Sequence, residues 1–146
     1  MKNLIAIDPG KSGAIVWVDS EGAHAQRMPA TMAEQGDFLR SLAAAGLRQV
    51  VLERVGGYMP GNSGPASVKF ARHVGNLEAL LYMCGIAVVE NPTPAQWMKR
   101  TGCPTGLEKK ARKDWLLDYA ARRFPDLKVT KTNADALAML FVYMGD

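Results

Sequence analysis

The chain has 146 residues, of which 48% are hydrophobic and 22% charged, a balance that excludes a disordered or fibrous protein and predicts one domain over residues 1–146. Eighteen Lys and Arg against fourteen Asp and Glu leave a net charge of +4, which favours anionic partners. Two cysteines, Cys84 and Cys103, and two histidines, His24 and His73, stand in no metal-ligand spacing, so a zinc module and a disulfide scaffold are excluded. The first apolar run is broken by Asp8 and Pro9, too early for a signal peptide or a membrane span. A cytoplasmic protein without a membrane partner is expected.

The elements follow in order. Asn3–Asp8 reads as a strand whose unbroken apolar run, Leu4 to Ile7, predicts burial on both faces. Pro9–Gly13 is a turn, and Ala14–Val18 and Ala23–Met28 continue an antiparallel meander. Thr31 is placed to cap a helix that stops at Gly46, with Glu34 completing a capping box. Arg48–Val55 is the next strand, followed by a Gly/Pro/Asn loop over residues 56–65. A helix over 66–84 carries a narrow apolar stripe of Phe70, Val74, Leu77, Leu81 and Cys84. Ile86–Glu90 is a fifth strand, and Pro94–Thr101 a short helix. Leu107–Phe124 is a basic amphipathic helix ended by Pro125, and a last helix runs from about Thr132 to Met144. Three strands, then helices alternating with two more strands, predict an α/β class with a mixed five-stranded sheet flanked by helices.

Three acids stand where chemistry is expected. Asp8 closes one buried strand, Glu53 closes another, and Asp135 lies in an apolar helix start. Charged groups are rarely buried unless paired or bound to metal. If the two strands are parallel neighbours, their carboxyl ends bring Asp8 and Glu53 together at the edge where ligands bind, and the last helix can bring up Asp135. Convergent carboxylates suit hard cations such as Mg²⁺ or Mn²⁺, and two such ions can activate water and stabilise the leaving oxygen of a phosphodiester. Taken singly, Glu53 or Asp135 reads more readily as a cap or a surface ion-pair partner; it is their conjunction with Asp8 that points to a site.

Charge is concentrated between residues 99 and 131, where ten Lys and Arg oppose four acids, the footprint of a phosphate-backbone binder. Lys109, Lys110, Arg112 and Lys113 are the leading candidates for backbone contacts, with Lys99, Lys131, Lys69, Arg72 and the turn residue Lys11 beside them. Tyr58 and Met59, in the loop, are candidates to wedge into opened DNA. Trp97 and Trp115 read as core.

Ile5-Ala6-Ile7-Asp8-Pro9-Gly10-Lys11-Ser12-Gly13-Ala14 resembles the first catalytic strand and turn of RuvC-type Holliday-junction resolvases. Val51-Leu52-Glu53-Arg54-Val55 resembles their second acidic strand, and Asn133-Ala134-Asp135-Ala136-Leu137-Ala138 their last helix. Pro94-Ala95-Gln96-Trp97-Met98-Lys99 is similar to phage-borne members of the group. The resemblance spans nearly the whole chain. It implies an RNase H-like fold, Asp8, Glu53 and Asp135 as catalytic metal ligands for two Mg²⁺ or Mn²⁺ ions, and branched DNA as substrate. It further implies a homodimer, with the helix over 66–84 as a dimer surface, in a bacterial or phage-infected cell.

The chain departs from the pattern at one place. The fourth acid or histidine expected three or four residues before the last aspartate is replaced by Thr132 and Lys131. Asn133 can stand in only if the helix begins irregularly, and Asp114 and Asp118 are the other candidates.

Rival readings divide unevenly. A Walker A loop fails, because Ile5 and Ala6 stand where its first glycine belongs. The actin-like ATPases need two such domains, and RNA–DNA hybrid cleavage fits the motifs less well. A branched-DNA-binding module with weak or no catalysis, and a less selective flap or fork nuclease, stay beside the resolvase.

Overall fold

A computed structural model of the chain describes residues 3–56 and 64–145. The strands are β1 (Leu4–Asp8), β2 (Ala14–Asp19), β3 (Gly22–Arg27), β4 (Gln49–Leu52) and β5 (Ala87–Glu90). The helices are α1 (Met32–Ala44), α2 (Gly64–Met83), α3 (Pro94–Thr101), α4 (Lys109–Arg123) and α5 (Ala134–Tyr143). One mixed sheet runs in the order β3-β2-β1-β4-β5, antiparallel through the meander and parallel from β1 to β4 to β5. This is the predicted α/β, RNase H-like architecture.

The central position of β1 explains its unbroken apolar run. Alternate residues point to opposite faces. Leu4 and Ala6 enter a core shared with α3, α4 and α5, while Ile5 and Ile7 enter a second core built on α1 and α2. The turn after β1 depends on glycine. A Cβ on Gly13 would lie 1.9 Å from the Asp8 carbonyl oxygen, and Gly10 sits at φ +116°. Gly13 donates to the Gly10 carbonyl at 3.0 Å and accepts from the Met28 amide at 3.1 Å, which ties the turn to the end of β3.

Helix ends follow local chemistry, with one exchange. Thr31 caps α1 by accepting from the Glu34 amide at 3.1 Å, but the Glu34 carboxylate accepts from the Thr31 hydroxyl rather than from its backbone. The complete capping box is on α3, where Thr93 accepts from the Gln96 amide and donates its own amide to the Gln96 side chain. Strand β4 stops at Leu52, short of the predicted Val55, because the Arg54 amide turns away to the Pro92 carbonyl at 2.8 Å. Helix α5 starts at Ala134, two residues later than expected. Asn133 is spent on the turn before it, accepting from the Thr130 amide and donating to the Lys128 carbonyl.

One side of the molecule is left open. All four residues of the edge strand β5 are exposed, and α2 buries only Leu77 and Leu81 of its stripe. Val68, Tyr82, Met83, Val88 and Val89 are large apolar side chains in solvent. Among the described residues, no helix is long and apolar enough to cross a membrane.

Candidate functional site

The parallel ladder between β1 and β4 builds the site. Ile7 stands opposite Leu52, and the Glu53 amide still donates to the Ile7 carbonyl at 3.1 Å. Asp8 and Glu53 therefore leave adjacent strands at the same edge. Their side chains hydrogen-bond each other. Asp135, in the first turn of α5, faces the pair because α5 packs across β1, β2 and β4. The three predicted acids are brought together.

Burial dominates their electrostatics. It pushes Asp8 up to about 9, helped by the charges of Glu53 and Asp135 and by the hydrogen bond to Glu53. It raises Glu53 too, which is 7% exposed; there the Trp97 hydrogen bond opposes the shift and the Asp135 charge adds to it. Asp135 is also raised by burial, against the pull of Lys113 and Arg112. Among the described residues, no three His, Cys, Asp or Glu side chains are already gathered tightly enough to hold a metal ion; Asp8 and Glu53 are hydrogen-bonded to each other, and Asp135 lies within electrostatic reach of both. Such a set still fits a hard divalent cation: the donors are all carboxylate oxygens, and each carboxylate is penalised for carrying bare charge where it sits.

One contact was invisible to the sequence. The Trp97 indole, completely buried, donates to Glu53 Oε2 at 2.6 Å. Trp97 is core, as predicted, and it also fixes one oxygen of a catalytic candidate. The capping box holds the start of its helix, and the Asn91 side chain donates to the Leu52 carbonyl at 2.6 Å, bracing the strand end from the same side. Trp115 stacks on Tyr119 at 5.4 Å and is only half-buried, packed against the edge of the core rather than inside it.

The basic candidates separate. Arg112 and Lys113 lie close enough to act on Asp135. Lys109, Lys110, Arg112 and Lys113 crowd the N-terminal turns of α4, which hold no acid in the first turn. Cations there oppose the helix dipole at roughly 0.3–1 kcal/mol each, a cost that an anionic partner would relieve. Lys110 also pairs with Asp114 at 3.2 Å. Lys11 is exposed on the turn two residues past Pro9, Lys69 and Arg72 are exposed on α2, Lys99 is in the last turn of α3, and Lys131 is exposed before α5. None of these five is drawn into the acidic centre. Tyr58 and Met59 lie outside the described residues.

The candidates for a fourth ligand have other partners in the structure. Asp114 is held by Lys110, and Asp118 by Arg122 at 2.9 Å, both in exposed pairs along α4. Asn133 is consumed by its turn.

No protein-family model matches the sequence, and a search of curated proteins gives no significant match. Solved structures do match over almost the full length. Thermus thermophilus RuvC superposes with a TM-score of 0.60 at 15% identity, over 98% of this chain and 93% of that one. The same protein in complex with a Holliday-junction substrate gives 0.65 at 15% identity, over 99% and 93%. A Fowlpox virus resolvase bound to Holliday-junction DNA gives 0.52 at 14% identity, over 96% and 92%. The fold is that of the RuvC-like resolvases.

Proposed function

We propose that this protein is a divalent-metal-dependent endonuclease that resolves four-way DNA junctions, acting as one nuclease domain per chain. The observation that carries the reading is the meeting of Asp8, Glu53 and Asp135 at the carboxyl edge of β1 and β4, in a fold whose solved examples include complexes with Holliday-junction DNA.

Asp8, Glu53 and Asp135 would hold Mg²⁺ or Mn²⁺, and bound ions of this kind activate a water and stabilise the leaving oxygen. Asp8 would bind such an ion as its carboxylate, without a proton. Glu53 keeps one oxygen on the Trp97 indole and presents the other. Arg112 and Lys113 balance the charge of Asp135, and the remaining cations of α4, with Lys11, Lys69, Arg72, Lys99 and Lys131, track the phosphate backbone. Such contacts are blind to sequence and weaken with salt.

A homodimer completes the reading. The exposed apolar residues of α2 and the open edge of β5 form the kind of surface that a second copy covers. Two acidic centres would then cut opposed strands.

A second reading rests on the absence of a fourth ligand at Lys131, Thr132 and Asn133: a branched-DNA-binding module that cuts weakly or not at all. A third, a flap or fork nuclease, shares the same centre. One experiment separates them. Labelled four-way junctions, forks and linear duplex are incubated with protein, with and without Mg²⁺ or Mn²⁺. Paired cuts confined to the junction support resolution. Cuts on forks as well favour the less selective nuclease, and tight junction binding without cuts favours the binding module.

A further inference from the structure

On the α5 face of the sheet, where the three acids meet, a groove of about 440 Å³ opens at the carboxyl end of β5. The strand ends line it through Arg54, Glu90, Asn91 and Pro92, and the helices through Gln96 and Arg100 of α3 and Tyr143 of α5. Arg54 directly follows Glu53 in the chain, and Gln96 directly precedes Trp97, whose indole holds Glu53. The groove and the acidic centre share a wall.

The lining is fixed before anything binds. The Arg54 amide is tied to the Pro92 carbonyl at 2.8 Å, and the Asn91 side chain to the Leu52 carbonyl at 2.6 Å. Gln96 Oε1 accepts from the Thr93 amide at 2.9 Å, which leaves the Nε2 hydrogens as donors. The Arg100 guanidinium lies over the Tyr143 ring, 4.2 Å from its centroid. A guanidinium stacked on an aromatic face keeps its N–H edges for an anion. Arg54 is exposed and, among the described residues, its side chain has no ion-pair partner. Against the two arginines, Glu90 is the one carboxylate among the described lining residues.

Arginine forks suit carboxylate and phosphate alike; the place decides between them. A DNA strand laid across Asp8, Glu53 and Asp135 carries one phosphate into the centre and its neighbours past buried carboxylates. The first is met by the ions that the carboxylates would hold, and the neighbours need cations of the protein's own. Beside Asp135 these are Arg112 and Lys113. Beside Glu53 they are Arg54 and Arg100. We propose that the groove holds a backbone phosphate flanking the one that is cut, with Arg54 as its principal donor and Arg100 and Gln96 completing the cradle. The inference rests on the reading of the protein as a junction nuclease. It also gives Glu90 a direction of effect: a carboxylate in a phosphate cradle weakens the hold.

Two measurements decide it, both in chelator so that no strand is cut. First, labelled junction and linear duplex are bound across a salt series and followed by anisotropy. Arg54→Gln is expected to weaken binding about fivefold and to make the slope of log affinity against log salt shallower by about one. Glu90→Gln is expected to tighten binding about twofold, a change that damage to the fold does not produce. An unchanged slope in Arg54→Gln with the fold intact by circular dichroism, or no tightening in Glu90→Gln, overturns the proposal. Second, the phosphates around the exchange point are replaced one at a time by neutral methylphosphonates. At one position the replacement is expected to cost wild type about fivefold and Arg54→Gln nothing, because the two changes remove the same contact. Losses that add at every position overturn it as well. If duplex is bound as tightly as the junction, the junction reading fails, and the duplex series judges the groove on its own.

Discussion

Helices α5 and α2 lie on opposite faces of the same sheet and are finished to different degrees. Helix α5 buries Ala134, Ala136, Leu137, Ala138, Met139, Leu140 and Tyr143, because β1, β2, β4, α3 and α4 surround it. Helix α2 is twice as long, 20 residues against 10, yet buries two side chains and contacts only α1 and β5 closely. The difference assigns work. The enclosed helix holds Asp135 against the strand ends with little freedom, as the proposed catalytic role requires. The open helix has surface to spare for a second copy and for DNA.

The largest effect should come from the enclosed side. Asp8→Asn removes a ligand charge but little volume, and cleavage is expected to fall at least about 1,000-fold, roughly 4 kcal/mol in barrier, while junction binding by gel shift stays near wild type. Loss of binding with cleavage retained would remove Asp8 from the centre. Leu137→Ala leaves a cavity where nothing is exposed and should cost about 2–5 kcal/mol in urea unfolding. Val68→Ser on α2, 59% exposed, should stay within about 0.5 kcal/mol. Similar losses at both positions would erase the contrast.

Trp97→Phe keeps an aromatic ring in the core but deletes the donor to Glu53. Cleavage is expected to drop about 10–100-fold, as for other groups that orient metal ligands, with weaker Mn²⁺ binding by calorimetry. Unchanged metal affinity would make Trp97 packing alone.

A pH dependence follows from the raised Asp8. Its folded value near 9 exceeds the ordinary 3.8, so the folded state binds that proton more tightly than the unfolded chain does. The stability it confers is complete below about pH 4 and is lost as pH rises through about 9. In chelator, the melting temperature should therefore decline from about pH 5 to about pH 9, and Asp8→Asn should flatten that decline. Mg²⁺ should raise the melting temperature more at pH 8 than at pH 6, because it displaces a proton. The smallest effect on stability, and the sharpest on assembly, is expected from Met83→Glu. That side chain is 80% exposed, so the fold is spared while sedimentation shows a shift toward monomer. Wild-type protein that is already monomeric would instead leave α2 to DNA alone.

The sequence made some of this legible and hid the rest for physical reasons. An unbroken apolar run marked β1 as central, and the acids at two strand ends pointed to the candidate site before the strands were known to pair. Asp135 stood out against its apolar neighbours. The link between Trp97 and Glu53 crosses 44 positions, and no local pattern encodes it. The fate of Asn133 was equally hidden, since an Asn before a helix can serve a turn or a site. Thr93 and Gln96 did carry a readable signal, the capping-box spacing that was instead assigned to Thr31 and Glu34. The half-empty face of α2 looked, as a stripe, like any helix on a sheet.

The hydrogen bond from Trp97 to Glu53 has an optical consequence. Of the three tryptophans, Trp17 stacks on His24 and Trp115 on Tyr119, whereas Trp97 has its ring nitrogen on a carboxylate that a dication would claim. Any change of charge on that carboxylate alters the field across the indole. If the proposed dication binds there, the emission of Trp97 would report the loading of the acidic centre without a label and in the absence of any DNA.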